Sequence, residues 1–231
     1  MKLGYRPLVV ISSASVVKEI MKSHDLVFSG RPLRVALNRL SYDGLGIEFI
    51  SYSDLWKEMR RISNLNFLSP KQVKVFRPVR VDEVSRMINK ISRDALDTVV
   101  INMVSRMALG KSRVDEGFAS RFYQLFHDVQ RVMVAFCVED YFPSLGWIDK
   151  ISGKRRKLEQ TFRKLDCFYE ELIEEHLDIN RPKSMVGDIL DILLGLKRDG
   201  LSSIPLTMDH VKALLMVIFK FLEYLFLSFP S

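Results

Sequence analysis

Ser53-Asp54-Leu55-Trp56-Lys57-Glu58-Met59-Arg60-Arg61 opens a helix that runs to about Phe67. The four-residue spacing puts the Trp56 indole and the Arg60 guanidinium on one helix face. Both groups only donate hydrogen bonds, and neither loses its proton near neutral pH. Together they suit a ligand that carries buried carboxylates.

Outward from this stretch the chain reads as mostly α. On the C-terminal side, Ser69-Pro70 is a helix-start signal, and Pro78 breaks that helix early. A further helix follows, with Val81, Val84, Met87, Ile88 and Ile91 on one face. Ala95 to Leu109 is apolar and helical in pattern, and Phe118 to Val138 forms the next helix. The clearest periodicity is Leu158, Phe162, Leu165, Tyr169 and Leu172, widened by Phe168 and Ile173, in a helix from Lys154 to Leu177 that Asn180-Arg181-Pro182 stops. A shorter helix spans Asp188 to Lys197, and Thr207 caps a last apolar helix to about Leu227. On the N-terminal side, Leu8-Val9-Val10-Ile11 reads as the one strand. Ser13 or Ser15 caps a helix from Ala14 to Ser23. The expected fold class is mainly α with a small β region near the N-terminus.

Composition narrows the function classes. Of 231 residues, 48% are hydrophobic and 27% charged, which excludes wholesale disorder and allows a full core. The two cysteines, Cys137 and Cys167, sit in apolar helical text and read as reduced, buried core residues. The net charge of +7 comes mostly from basic residues dispersed among acids. Lys154-Arg155-Arg156-Lys157 is a solvated helix end, so no nucleic-acid partner is expected. The histidines His24, His127, His176 and His210 are scattered without metal spacing, and no metal ligand is expected. Glu58/Arg61 and Glu83/Arg86 read as surface ion pairs three residues apart.

Five stretches carry a resemblance that goes beyond pattern: the one around Trp56 and Arg60, His24-Asp25-Leu26-Val27-Phe28-Ser29-Gly30-Arg31-Pro32, Leu40-Ser41-Tyr42-Asp43-Gly44-Leu45-Gly46, Phe76-Arg77-Pro78-Val79-Arg80, and Asp140-Tyr141-Phe142-Pro143. From about Leu3 to Phe219 the chain resembles the N-terminal half of a plant microsomal cytochrome P450. The resemblance implies a single incomplete domain over 1–231, family-like over about 1–219 and divergent over 220–231. It implies that Trp56 and Arg60 bind the haem propionates. It also implies that the segment from Ala36 to Tyr52 contacts substrate, with Leu45, Ile47, Phe49 and Ile50 lining an apolar pocket.

The family activity so implied is haem-dependent monooxygenation of a small lipophilic metabolite, with electrons from a flavoprotein reductase. Relatives are anchored in the endoplasmic reticulum membrane. Here the chain starts inside the family's first strands without an anchor, which implies a cytoplasmic or peripherally membrane-associated protein. Neither Phe136-Cys137-Val138-Glu139 nor Asp166-Cys167-Phe168-Tyr169 matches the Gly-rich loop of the thiolate ligand. After Ile218-Phe219, the run Lys220-Phe221-Leu222-Glu223-Tyr224-Leu225-Phe226 lacks the Gly, acid and Thr of the oxygen-activating helix. Haem is therefore not expected to be stably bound, and turnover is not expected. The alternative is a non-catalytic helical interaction protein or a non-functional truncated gene product. Val211 to Phe229 is expected to expose an apolar patch that adheres to membranes or aggregates, without spanning a bilayer.

Overall fold

The computed structural model describes residues 1–90, 102–103, 105–110, 116–181, 187–200 and 202–227. It opens on a two-stranded antiparallel hairpin, β1 (Lys2–Leu3) and β2 (Arg6–Pro7), with Lys2 opposite Pro7 and Leu3 opposite Arg6. Gly4 turns the hairpin at φ +64°, and a Cβ there would collide with the carbonyl of Tyr141. The Tyr5 amide donates to that same carbonyl at 3.0 Å, and Arg6 Nε donates to the Asp140 carbonyl at 2.6 Å. The strand expected at Leu8–Ile11 does not form. Its β-branched run meets no partner strand among the described residues, and Val9 and Val10 stand 80% and 70% exposed.

Two helices follow, α1 (Ala14–Ser23) and α2 (Asp25–Phe28). The limits of α1 are those expected. Its capping is not, because the Ser13 and Ser15 hydroxyls bond each other at 2.7 Å instead of the helix amides. α3 (Val35–Leu40) starts on a tertiary cap: the buried Asp140 carboxylate accepts from the Val35 amide at 2.8 Å. α4 (Asp54–Asn66) carries the Trp56/Arg60 face and is capped by Ser53 Oγ, which accepts from the Trp56 amide. α5 (Pro70–Val75) is capped by Ser69 in the same way, and α6 (Arg77–Lys90) restarts with Pro78 in its first turn.

The apolar stripe of α6 points away from the core. Val81 and Ile88 are 55% and 59% exposed and Val84 is exposed, while Glu83 faces inward and is buried. Met87 and Ile91 lie outside the described side chains. Most of the helix expected over Ala95–Leu109 lies outside the described residues; 105–109 are helical.

The core sits around α7 (Glu116–Val134) and α9 (Lys154–Leu177), joined through a 3-10 turn (Pro143–Leu145) and the short α8 (Trp147–Ile151). α7 ends four residues before the expected Val138. The whole expected stripe of α9 is buried, with Leu165 and Tyr169 at its centre. Phe122 stacks on Phe126 at 4.5 Å, and Tyr42 meets Phe162 edge-on at 5.2 Å. α10 (Ile189–Asp199) and α11 (Met208–Leu227) close the packing. Val211 and Ala213 to Met216 lie in the main core, contrary to the exposed patch expected there; side chains beyond Ile218 lie outside the described set. No described helix is long and apolar enough to cross a membrane.

Candidate functional site

α4 brings Trp56 and Arg60 together as their spacing requires. The Arg60 guanidinium lies 5.0 Å from the centre of the Trp56 ring, and the Tyr52 ring is tilted against the indole at 5.5 Å. Trp56 is half-buried and Arg60 is exposed. Among the described residues no carboxylate pairs with Arg60, whereas the neighbouring cations are engaged: Lys57 with Asp54 at 2.9 Å and Arg61 with Glu58 at 2.7 Å. A free fork beside an indole, on a helix whose other cations are neutralised, is fitted to an external carboxylate.

The same helix is fastened on its inner face. Glu58 is buried, takes both Arg61 donors at 2.7 and 2.8 Å, and accepts from the Ser203 amide at 2.9 Å. The Arg61 hydrogen bonds hold its carboxyl down at about 2, against the opposing effect of burial. This overturns the reading of Glu58/Arg61 as a plain surface pair: it ties α4 to the segment leading into α11. Glu83 likewise pairs with Arg106 at 2.6 Å, not with Arg86, which takes Asp82 at 3.0 Å. Spacing within a helix cannot reveal these long-range partners.

Leu45, Ile47, Phe49 and Ile50 are half-buried and pack against the main core. They sit on a tight passage in which Tyr42 and Asp43 take left-handed φ of 56° and 57° and Gly44 one of 87°. Tyr42 pins this passage: its hydroxyl donates to Asp166 on α9 at 3.1 Å, and Lys212 of α11 binds Asp166 and Glu170. Burial, joined by the nearby Tyr169 and Asp166, pushes the Tyr42 phenol far up, so it stays a donor.

The cysteines lie elsewhere. Cys137 is buried against Val35, Asp149 and Leu158, and burial raises its thiol, opposite to what a metal-bound thiolate needs. Cys167 is exposed on α9, correcting the expectation of a core residue. Haem is thus tested in two parts. The Trp56 indole and the Arg60 fork have the donor chemistry that haem carboxylates need; Cys137, buried with a raised thiol, does not have the character of an iron thiolate.

Sequence reasoning missed a third cluster: His176 at the end of α9, Asp188 at the cap of α10, Asp191 in its first turn, and Arg181 between the helices.

The helical fold with its small N-terminal hairpin is that of a cytochrome P450. The cytochrome P450 family profile matches residues 1–220, and the chain belongs to that family. It is 38% identical to 5-OH-xanthotoxin synthase from Pastinaca sativa over 94% of this chain and 45% of that protein. It is equally 38% identical to cytochrome P450 71A9 from Glycine max, covering 95% of this chain and 46% of that protein. A zebra fish cytochrome P450 solved with abiraterone superimposes with a TM-score of 0.67 at 19% identity, over 97% of this chain and 51% of that one. The chain spans about half the length of the relatives it matches.

Proposed function

We propose that this chain supplies the carboxylate-holding part of a cytochrome P450 haem pocket, with the Trp56 indole N–H and the Arg60 fork as donors to the two propionates. The observation that carries this is the exposed, acid-free guanidinium beside a half-buried indole on α4. Leu45, Ile47, Phe49 and Ile50 form the apolar wall toward a small lipophilic substrate. The pinned Tyr42–Gly44 passage supports this, because it fixes the wall's position without using its side chains.

The bound group would supply the oxygen chemistry of the family. This chain's residues bind and orient its carboxylates and provide no axial thiolate. Haem is therefore held weakly, and reductase-supported monooxygenation does not occur in this chain by itself. The setting that the family resemblance implies is the endoplasmic reticulum membrane.

Haemin titration of the purified chain tests the reading. Arg60→Ala should weaken haemin binding severalfold while changing folding stability by less than about 1 kcal/mol, as for an exposed, unpaired group. An unchanged haemin affinity would remove Arg60 from the site. A thiolate-type carbon-monoxide difference spectrum of the reduced protein would overturn the absence of an axial ligand.

A further inference from the structure

Next to the N-terminal hairpin, a strand-forming run and an amphipathic helix follow each other with neither covered. Leu8, Val9, Val10 and Ile11 are all exposed. α1 comes directly after them and buries no residue, with Val16, Val17 and Met21 exposed at helical spacing. Side chains alternate between the two faces of a strand, so a run that is apolar at every position suits a strand covered on both faces.

The hairpin register fixes which backbone edge is open. Met1 and Leu8 exchange both backbone hydrogen bonds, at 3.1 and 2.9 Å, and so continue the ladder beyond the pair Lys2 and Pro7. Alternation along the strand then turns the N–H and C=O groups of Val9 and Ile11 to the outer edge. Residues 9–11 make no backbone hydrogen bond among the described residues. Pro7 lies on the same outer edge and has no N–H to offer, so pairing there begins at Val9. A two-stranded hairpin is marginal by itself, and an open β-prone edge is a template for a further strand.

The open amides and the length of the relatives decide what fits. A lipid surface covers apolar side chains but leaves the outward amides without acceptors. A second copy of this chain offers the same short edge, which ends where Ser12–Ser13 leads into α1. The solved cytochrome P450 that superimposes on this chain, and the plant relatives, carry about as much chain again outside the shared part. We propose that Leu8–Ile11 and α1 form a seam that accepts a strand from the complementary, C-terminal half of a cytochrome P450, a case of strand addition to a sheet edge. The incoming backbone pairs with Val9 and Ile11, and its apolar neighbours cover the exposed face of α1. This seam involves neither Trp56 nor Arg60, so haemin binding and strand uptake can fail separately.

Co-expression of the full chain with the part of cytochrome P450 71A9 that follows the matched segment, verified in the soluble fraction, tests this. A one-to-one complex should form, and amide hydrogen exchange of residues 9–11 should slow by about tenfold or more relative to the chain alone. Val9→Pro suits an extended backbone but removes an outward donor, and should weaken the complex by about tenfold. Val10→Pro removes a donor that faces the hairpin side, and should change the affinity by less than about threefold. Both positions are exposed and free of described backbone hydrogen bonds, so the isolated chain should keep its circular dichroism in either variant. No complex, a complex in which residues 9–11 exchange as in the free chain, or equal losses from the two prolines would overturn the proposal. So would the same protection in the concentrated chain alone, the mark of a second copy, or on phosphatidylcholine vesicles, the mark of a lipid surface.

Discussion

α1 and α9 are both amphipathic helices whose limits follow from the sequence, yet they end in opposite environments. Every residue of the α9 stripe from Leu158 to Ile173 is buried, whereas α1 buries nothing. Val16, Val17 and Met21 lie exposed in α1, next to an exposed Val9–Val10 and an exposed Leu26–Val27–Phe28. An apolar stripe states that a face is stabilised by burial; it does not state that the covering surface lies within the described chain. α9 finds α7, α10 and α3, while α1 contacts little beyond α2. The exposed stripe of α6 repeats the lesson.

The sharpest way to break this contrast is at its buried end. Leu165→Ala removes a fully buried side chain from the centre of α9, where α7 limits how far the gap can collapse. The loss should be about 3 kcal/mol, in the middle of the range for such truncations. Urea unfolding followed by far-ultraviolet circular dichroism measures it. A loss below about 1 kcal/mol would mean that the α7–α9 contact is not the organising core.

A smaller effect is expected where polar groups fasten α4. Glu58→Gln keeps the shape but weakens the fork to Arg61 and the contact with the Ser203 amide, and should cost about 1–2 kcal/mol at neutral pH. The sign of its pH dependence follows from the depressed carboxyl. With a folded value of about 2 against an ordinary 4.5, the native carboxylate contributes its full stability above about pH 4.5 and loses it as pH falls toward 2. The stability gap between the native chain and the variant should therefore narrow in acid. A gap that widens below pH 4 would contradict the Arg61 and Ser203 contacts.

How much of this was legible in the sequence differs by level. Helix limits were legible where local chemistry fixes them: Pro70 and Pro78 delimit α5 and start α6, Ser53 caps α4, and the 24-residue stripe of α9 runs from Lys154 to Leu177 as expected. The strand at Leu8–Ile11 was misplaced because strand propensity requires a neighbour to pair with, and the hairpin instead formed around Gly4. Of the candidate site, the juxtaposition of Trp56 and Arg60 was legible because it depends on one helix. The burial of Glu58 and Glu83, the pin from Tyr42 to Asp166, and the His176–Asp188–Asp191 cluster were not, since each joins residues far apart in the chain or on separate elements. A faint local signal for the last existed in Asp188, an N-cap residue whose carboxylate must accept from the Asp191 amide and so draws the two acids together.

The smallest expected effect lies at the exposed end of the contrast. Val17→Ala in α1 removes two methyl groups from a side chain that is already 43% exposed and belongs to a helix with no buried residue. Little transfer energy is lost, since those methyls remain largely in water in the native chain. Alanine also raises helix propensity, by several tenths of a kcal/mol relative to a β-branched residue, which offsets the remaining loss. The net change should stay within about 0.5 kcal/mol, some sixfold smaller than at Leu165, and its sign is expected to be neutral or slightly stabilising. Urea unfolding of both variants on the same preparation makes the comparison direct. A cost at Val17 approaching that at Leu165 would show that the α1 stripe is covered in solution, and the distinction between the two helices would then be one of partner rather than of burial.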